Sequence, residues 1–307
     1  MDPALHRDSP AAQGALELTN LKTLDIPSTV VNINDDACSG CTALTTVTVS
    51  GGDPAIAIIG NRAFEGCSSL SEFPADQNLT SIGERAFAGC TSLTGLNAGS
   101  RLNWIGGHAF DGSGIQSFDL TGAQYLYLAP YAFANATELQ TVMFHENLQS
   151  LLIGTFQGCT SLTSANLAET KVGYVGGQAF EGCSSMTSVS LPATVSHIDA
   201  GAFANCNALE SITLAGENPP SFADDAFPQS VMENATVNFP QTPTAIANYT
   251  NPYGSWYKFT SVSDQTTALT EIAAPQAEAF YDLQGRRADL SRPGLYLTPS
   301  GRKLLLR

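Results

Sequence analysis

The sequence predicts a repeat solenoid, a chain wound into coils of about 23 residues, followed by a small β module at its C-terminal end. Three observations predict it. First, an Ala-Phe pair recurs at Ala63-Phe64, Ala86-Phe87, Ala109-Phe110, Ala132-Phe133, Ala179-Phe180, Ala202-Phe203 and Ala226-Phe227. Thr155-Phe156 fills the gap in that series and Ala37-Cys38 stands upstream, so that from position 38 the steps are 26, 23, 23, 23, 23, 24, 23 and 24 residues. Second, apolar columns keep the same register. Ile59, Ile82, Ile105, Leu128, Leu151, Val175 and Ile198 each lie five residues before the Phe position. Ile56, Leu79, Leu102, Tyr125, Leu148, Val172 and Val195 form a second column, and Leu70, Leu93, Ile115, Leu139, Leu162, Met186 and Leu209 a third. Third, each unit carries one stretch of apolar-polar alternation, as in Leu209 to Leu214, which is the period of a half-buried strand.

Residues 1–20 read as a leader, since Met1 to Asn20 holds neither the repeat nor an apolar stretch of signal-peptide type. Residues 21–262 read as the solenoid. Within each unit the alternating stretch is a strand, and the segment equivalent to Ile198 through Cys206 suits a tight turn or short 3₁₀ piece. A single unit of this size cannot close a core. Stacking at strand spacing, about 4.8 Å, buries each column against its copies. Residues 228–262 lack the repeat and read as its closing cap. Residues 263–307 read as a linker and a β tail, with short strands at Leu295 to Thr298 and Lys303 to Leu306 split by glycine-containing turns.

Composition removes several functions. Of the 307 residues 43% are hydrophobic, enough for a core, and only 13% are charged, with 28 acidic and 13 basic side chains for a net charge of −15. Such a chain is repelled by a phosphate backbone and by an anionic bilayer. No apolar run approaches the roughly 20 residues of a spanning helix. The charge is also divided. Residues 286–307 carry +5, through Arg286, Arg287, Arg292, Arg302, Lys303 and Arg307 against Asp289, and residues 1–285 carry −20. That asymmetry marks two modules.

Candidate chemistry is sparse. Cys41, Cys67, Cys90, Cys159, Cys183 and Cys206 share one column, three residues after the Phe position, with Ser113 and Ala136 in the same place in two coils. A ligand or disulfide partner does not exchange with Ala, whereas a small buried filler does, and free thiols are expected. Cys38-Ser39-Gly40-Cys41 matches C-x-x-C, but there is neither a second such pair nor a nearby histidine to complete four metal ligands. His6, His108, His145 and His197 fall in different repeats and columns, and their spacing follows the repeat rather than a Ser-His-Asp constellation. No phosphate-cradling loop, dinucleotide fingerprint or calcium loop occurs. The sequence therefore points to no catalytic residue, metal or cofactor.

Two surfaces are candidates for binding. One is the outward face of the strands, lined by small polar residues such as Thr46, Thr48, Ser188, Ser190, Ser211 and Thr213, which is a ligand face or an inert solvated one. The other is the position six residues before each Phe, reading Ile58, Ser81, Trp104, Tyr127, Ser150, Tyr174 and His197. Its neighbours belong to core columns, so it points outward. Trp104, Tyr127, Tyr174 and His197 then form a broken aromatic ladder, able to stack on a glycan or anchor a protein, or else to be covered by a loop or the C-terminal module.

The segment Ile82 to Leu93, Ile-Gly-Glu-Arg-Ala-Phe-Ala-Gly-Cys-Thr-Ser-Leu, resembles the BspA-like, or Treponema-type, leucine-rich repeat of bacterial surface proteins. The likeness runs from Leu21 to Phe227, departing at Cys38, where the aromatic is missing, and at Thr155, where the small Ala is replaced. Tyr249 to Phe259 resembles the closing segment of such arrays. Tyr281 to Arg287, with Gly294-Leu295-Tyr296-Leu297 and Gly301-Arg302-Lys303, resembles the C-terminal tail of secreted Bacteroidetes proteins. The resemblance implies a right-handed leucine-rich-repeat coil and a non-catalytic protein, extracellular or at the cell surface. Its implied role is adhesion to host or bacterial macromolecules, protein first. A glycan-binding module using the aromatic ladder is the alternative.

Overall fold

The structure is a computed structural model that describes residues 20–74, 77–123, 126–262, 294–297 and 303–306. The leader, Tyr125 of the second apolar column, the linker and the turns of the tail lie outside these residues. Residues 1–263 form one compact unit and residues 264–307 another. In the second unit Gly294–Leu297 pairs antiparallel with Lys303–Leu306.

The first unit is a parallel β-solenoid whose coils share a three-part plan. The alternating stretch forms sheet one. Ser188–Leu191 is typical: Val189 and Leu191 are buried and the two serines look outward. It pairs in register with Ser164–Asn166 on one side and Ser211–Leu214 on the other, and Thr236–Asn238 and Ser261–Val262 continue that sheet. Thr23–Pro27 with Thr46–Ser50, and Ser117–Asp119 with Thr141–Met143, are separate two-stranded stretches of the same side.

Sheet two is built from strands of only two residues. Asn32–Ile33, Ile58–Ile59, Ser81–Ile82, Trp104–Ile105 and Tyr127–Leu128 pair in sequence, as do Tyr174–Val175, His197–Ile198 and Ser221–Phe222. In each the second residue is the core aliphatic or aromatic and the first faces out. The alternation in the sequence could not reveal this sheet, because two residues cannot display a period.

The third side is a run of turns closed by i to i+3 bonds, as in Ala202 N to Asp199 O and Cys206 N to Phe203 O at 3.2 and 3.1 Å. This is the tight-turn form of the expected corner, with left-handed residues such as Arg85, His108 and Tyr131 (φ 54°, 55° and 60°) interrupting any 3₁₀ helix. The Phe amides also bond the next coil, Phe87 N to Ala109 O at 2.8 Å, so backbone groups are satisfied on all three sides.

The repeated Phe column becomes a continuous stack. From Phe64 to Phe227 successive rings are nearly parallel, with centroids 4.9–5.6 Å apart. Phe118 of sheet one, Phe222 of sheet two, and Phe73 and Phe144, which follow Glu72 and Met143 on the sheet-one side, strike it edge-on. Ile115 reaches the third apolar column one residue early, because that coil is one residue short between Phe110 and the strand Ser117–Asp119.

The stack ends on the cap. Phe222 and Phe227 meet Trp256 and Phe259. Trp256 Nε1 donates to Pro220 O at 2.6 Å and Tyr249 Oη to Gly216 O at 2.9 Å, which satisfies the polar ends of two large buried side chains. Two short helices, α1 (Gln229–Asn234) and α2 (Pro243–Tyr249), carry the chain across this end. Thr242 caps α2, with Pro243 in the first turn. Among the described residues no helix is long and apolar enough to cross a membrane.

Candidate binding surface

The outward row of sheet two follows from its two-residue strands. Ile105 is fully buried, so the pleat turns Trp104 to the outside, and the same holds at Tyr127 before Leu128 and at Tyr174 before Val175. Trp104 and Tyr127 are each 43% exposed and Tyr174 38%. Neither a loop of the described residues nor the cap covers them.

Register decides which of these residues meet. Trp104 pairs with Tyr127, and their rings stack with centroids 4.7 Å apart at 15°. Tyr174 pairs with His197. Ser150 lies between the two pairs, and there sheet two is interrupted: Leu151 bridges onward to Val175, while Tyr127–Leu128 is the last strand of its stretch. The four-residue ladder is therefore two separate pairs.

His197 is held by its neighbours. Its Nδ1 lies 2.7 Å from Ser221 Oγ and its Nε2 3.2 Å from Asp199 Oδ1. A Ser-His-Asp grouping therefore does form, which corrects the expectation from spacing. Ser221 is the register partner of His197 in the next coil, and a partner one repeat away is hidden from any local motif. The hydroxyl also lies 3.3 Å from Ser196 O, and the His197 and Asp199 side chains are 45% and 43% exposed. Water competes for every bond in the set, and what the three bonds do is orient the ring.

A second aromatic pair lies on the same two coils as Trp104 and Tyr127, at the corner. His108 and Tyr131 stack at 5.0 Å and 11°, and His108 Nδ1 lies 3.0 Å from Asp111 Oδ2. The signal that could have found it is the column two residues before each Phe, read with the same period. Acid-base pairs occupy that corner in earlier coils, Arg62 with Asp36 at 2.7 Å and Arg85 with Glu65 at 2.6 Å. The Asp36 carboxylate raises the Arg62 guanidinium further above its ordinary value.

Sheet one presents small polar groups outward, some bonded to each other, as Thr48 Oγ1 to Asp25 Oδ1 at 2.9 Å. The seven cysteines are free and buried. Burial pushes the Cys90 thiol up to about 12 and raises Cys159 further. Cys38 and Cys41 of the C-x-x-C pair are both in the core, and among the described residues no group of three or more His, Cys, Asp or Glu side chains is placed to hold a metal ion.

The family model for the BspA type leucine rich repeat region, in six copies, matches residues 12–127, 57–171 and 126–255. The chain belongs to the BspA-type leucine-rich repeat family. Among solved structures, this BspA-type chain is similar to a leucine-rich repeat protein of T. pallidum, with 26% identity, a TM-score of 0.48, and coverage of 54% of this chain and 78% of that one. It is also similar to one from Bacteroides ovatus, with 19% identity, a TM-score of 0.45, and 72% and 71% coverage. A leucine rich cell surface protein of Faecalibacterium prausnitzii matches with 17% identity, a TM-score of 0.34, and 74% and 81% coverage. No curated protein matches the chain.

Proposed function

We propose that this BspA-type chain is a non-catalytic binding scaffold, working outside the cell or at its surface, that attaches to host or bacterial macromolecules through the outward row of sheet two. Protein is the partner class. One observation carries the choice of face. Of the nine large hydrophobic residues exposed among the described residues, Ile58, Trp104, Tyr127 and Tyr174 are outward positions of sheet two. Val31 directly precedes that sheet and Ile153 follows Leu151, whereas sheet one contributes only Met143. Exposed apolar groups gathered on one face are the usual mark of an interaction surface, and Trp and Tyr are over-represented among residues that dominate binding. The backbone under them is tied into parallel ladders, so little conformational freedom is lost on binding.

The test is capture of immobilised matrix and bacterial surface proteins by the full chain, compared with Trp104→Ala, Tyr127→Ala and Thr213→Ala. Loss of about tenfold or more in affinity is expected for the first two, with no change for Thr213→Ala on sheet one. Equal binding by the parent chain and Trp104→Ala overturns the proposal. Binding to glycans alone, lost in Trp104→Ala, would replace the protein partner by a carbohydrate one.

A further inference from the structure

We infer that sheet two receives an extended, cationic segment of the partner, with basic side chains about four residues apart. This rests on the binding-face reading above and adds the chemistry of the partner. The sequence around the two aromatic pairs repeats itself: Trp104-Ile105-Gly106-Gly107 and Tyr174-Val175-Gly176-Gly177 place an exposed ring two residues before a bare Gly-Gly step. The steps are packed against backbone. A Cβ on Gly106 would lie 2.5 Å from Glu84 N, and one on Gly176 2.8 Å from Leu151 O. No side chain therefore stands beside either ring at these positions.

A carboxylate accompanies each step. Glu84 is exposed in the coil before Gly106. It follows a column in which Asp35 accepts from Asn61 N and Asn61 from Glu84 N, both at 2.8 Å, and that chain of bonds stops at Gly107. Asp199 lies in the coil after Gly177, whose added Cβ would be 3.9 Å from Asp199 Cβ. Each position thus sets an exposed ring one coil away from a carboxylate, that of Asp199 having Oδ1 on His197 Nε2 at 3.2 Å, and a ring and an acid are the two groups that a basic side chain engages. The bases closest to the two rings in sequence, Arg101 and Lys171, are bonded to side-chain oxygens of Asn78 and Asn147 at 3.3 and 2.5 Å.

Charge and spacing complete the fit. Residues 1–285 carry −20, which draws in a cationic segment and repels an acidic one. Trp104 and Tyr174 are three coils apart, about 14 Å at about 4.8 Å per strand. A peptide laid along the solenoid axis at about 3.4 Å per residue covers that distance in about four residues.

The test uses the full chain and the peptide Gly-Arg-Gly-Ser-Gly-Arg-Gly, with two controls: citrulline in place of both arginines, and the arginines moved side by side. Isothermal titration calorimetry reads binding in the parent chain and in every variant, Trp104→Ala included. The citrulline control, the adjacent-arginine control, Glu84→Gln and Trp104→Ala are each expected to weaken binding about two- to fivefold, and added salt to weaken it further. Glu210→Gln, beside sheet one, is expected to leave it unchanged. Equal affinity for the citrulline peptide, or equal loss from Glu84→Gln and Glu210→Gln, overturns the inference. If captured proteins still depend on Trp104 while the arginine peptide does not bind, the cationic assignment falls and the binding face stands. If Trp104→Ala changes neither, both fall.

Discussion

The Cys90 thiol lies 3.1 Å from the main-chain carbonyl oxygen of Phe64, one coil earlier, and donates to it. The same bond recurs from Cys159 to Phe133 O at 3.1 Å, Cys183 to Phe156 O at 3.2 Å and Cys206 to Phe180 O at 2.9 Å. The column is thus more than a filler where it holds cysteine, because there it ties one Phe-bearing turn to the next. Ser113 stands in that column with its Oγ buried and without a hydrogen-bond partner.

Replacing Cys90 by Ser is therefore expected to be worse than replacing it by Ala. The shorter, more strongly hydrated hydroxyl is buried in a place where Ser113 finds no partner, at a cost of about 1–3 kcal/mol. Ser113→Ala is expected to stabilise the chain by about 1 kcal/mol, since it removes the orphaned hydroxyl. Urea unfolding of the three variants checks both, and equal stability of Cys90→Ser and Cys90→Ala would count against the account.

Alkaline pH is expected to destabilise the fold through the same residue. Burial raises the Cys90 thiol to about 12, against about 8.5 in an unfolded chain. Its contribution is fully present below about pH 8.5 and is lost as pH rises from there through the folded value near 12, because only the unfolded chain releases the proton in that window. The slope is at most about 1.4 kcal/mol per pH unit. Urea midpoints at pH 8 and pH 10 should separate less in Cys90→Ala than in the parent chain.

Two glycines of the short coil should respond differently to alanine. Gly112 has φ +64° and open space around it, so Gly112→Ala costs only the left-handed backbone, about 1–2 kcal/mol. A Cβ on Gly114 would lie 2.1 Å from the carbonyl oxygen of Thr91, which is backbone and cannot rotate away. Gly114→Ala is expected to cost about 3 kcal/mol or more. Melting temperatures of the two variants rank them, and equal values would refute the close approach.

Removing one ring from the stack should loosen two coils rather than the whole array. Phe133→Ala is expected to cost about 3–5 kcal/mol from lost burial and the cavity left behind. Its stacked neighbours are Phe110 and Phe156. Amide exchange is therefore expected to quicken at Phe110 and Phe156 and to stay near its original rate at Phe203, as nearest-neighbour coupling in a solenoid requires. Uniform acceleration along the chain would contradict this.

Much of the fold was legible in the sequence because inward positions are under the same constraint in every coil. A residue at the place of Phe110 or Ile105 must fill the same space between two copies of itself, so the columns repeat and can be counted. The outward direction of Trp104 followed from its neighbours in those columns. Sheet two itself did not follow, nor did the missing residue before Ile115 reveal how tightly Gly114 packs on Thr91.

By itself the sequence determined the coil, its period, its core columns and the division of charge between the repeat and the tail. These are properties of one unit copied along the chain. The tertiary structure alone decided which groups of different coils meet: Trp104 with Tyr127, His108 with Tyr131, His197 with Ser221, and the Cys90 thiol with the Phe64 carbonyl. It also separated the aromatic row at Ser150. The reason is geometric. A period fixes which positions are neighbours one coil apart, but contact depends on backbone register and side-chain direction at each step, and both shift where a coil gains or loses one residue.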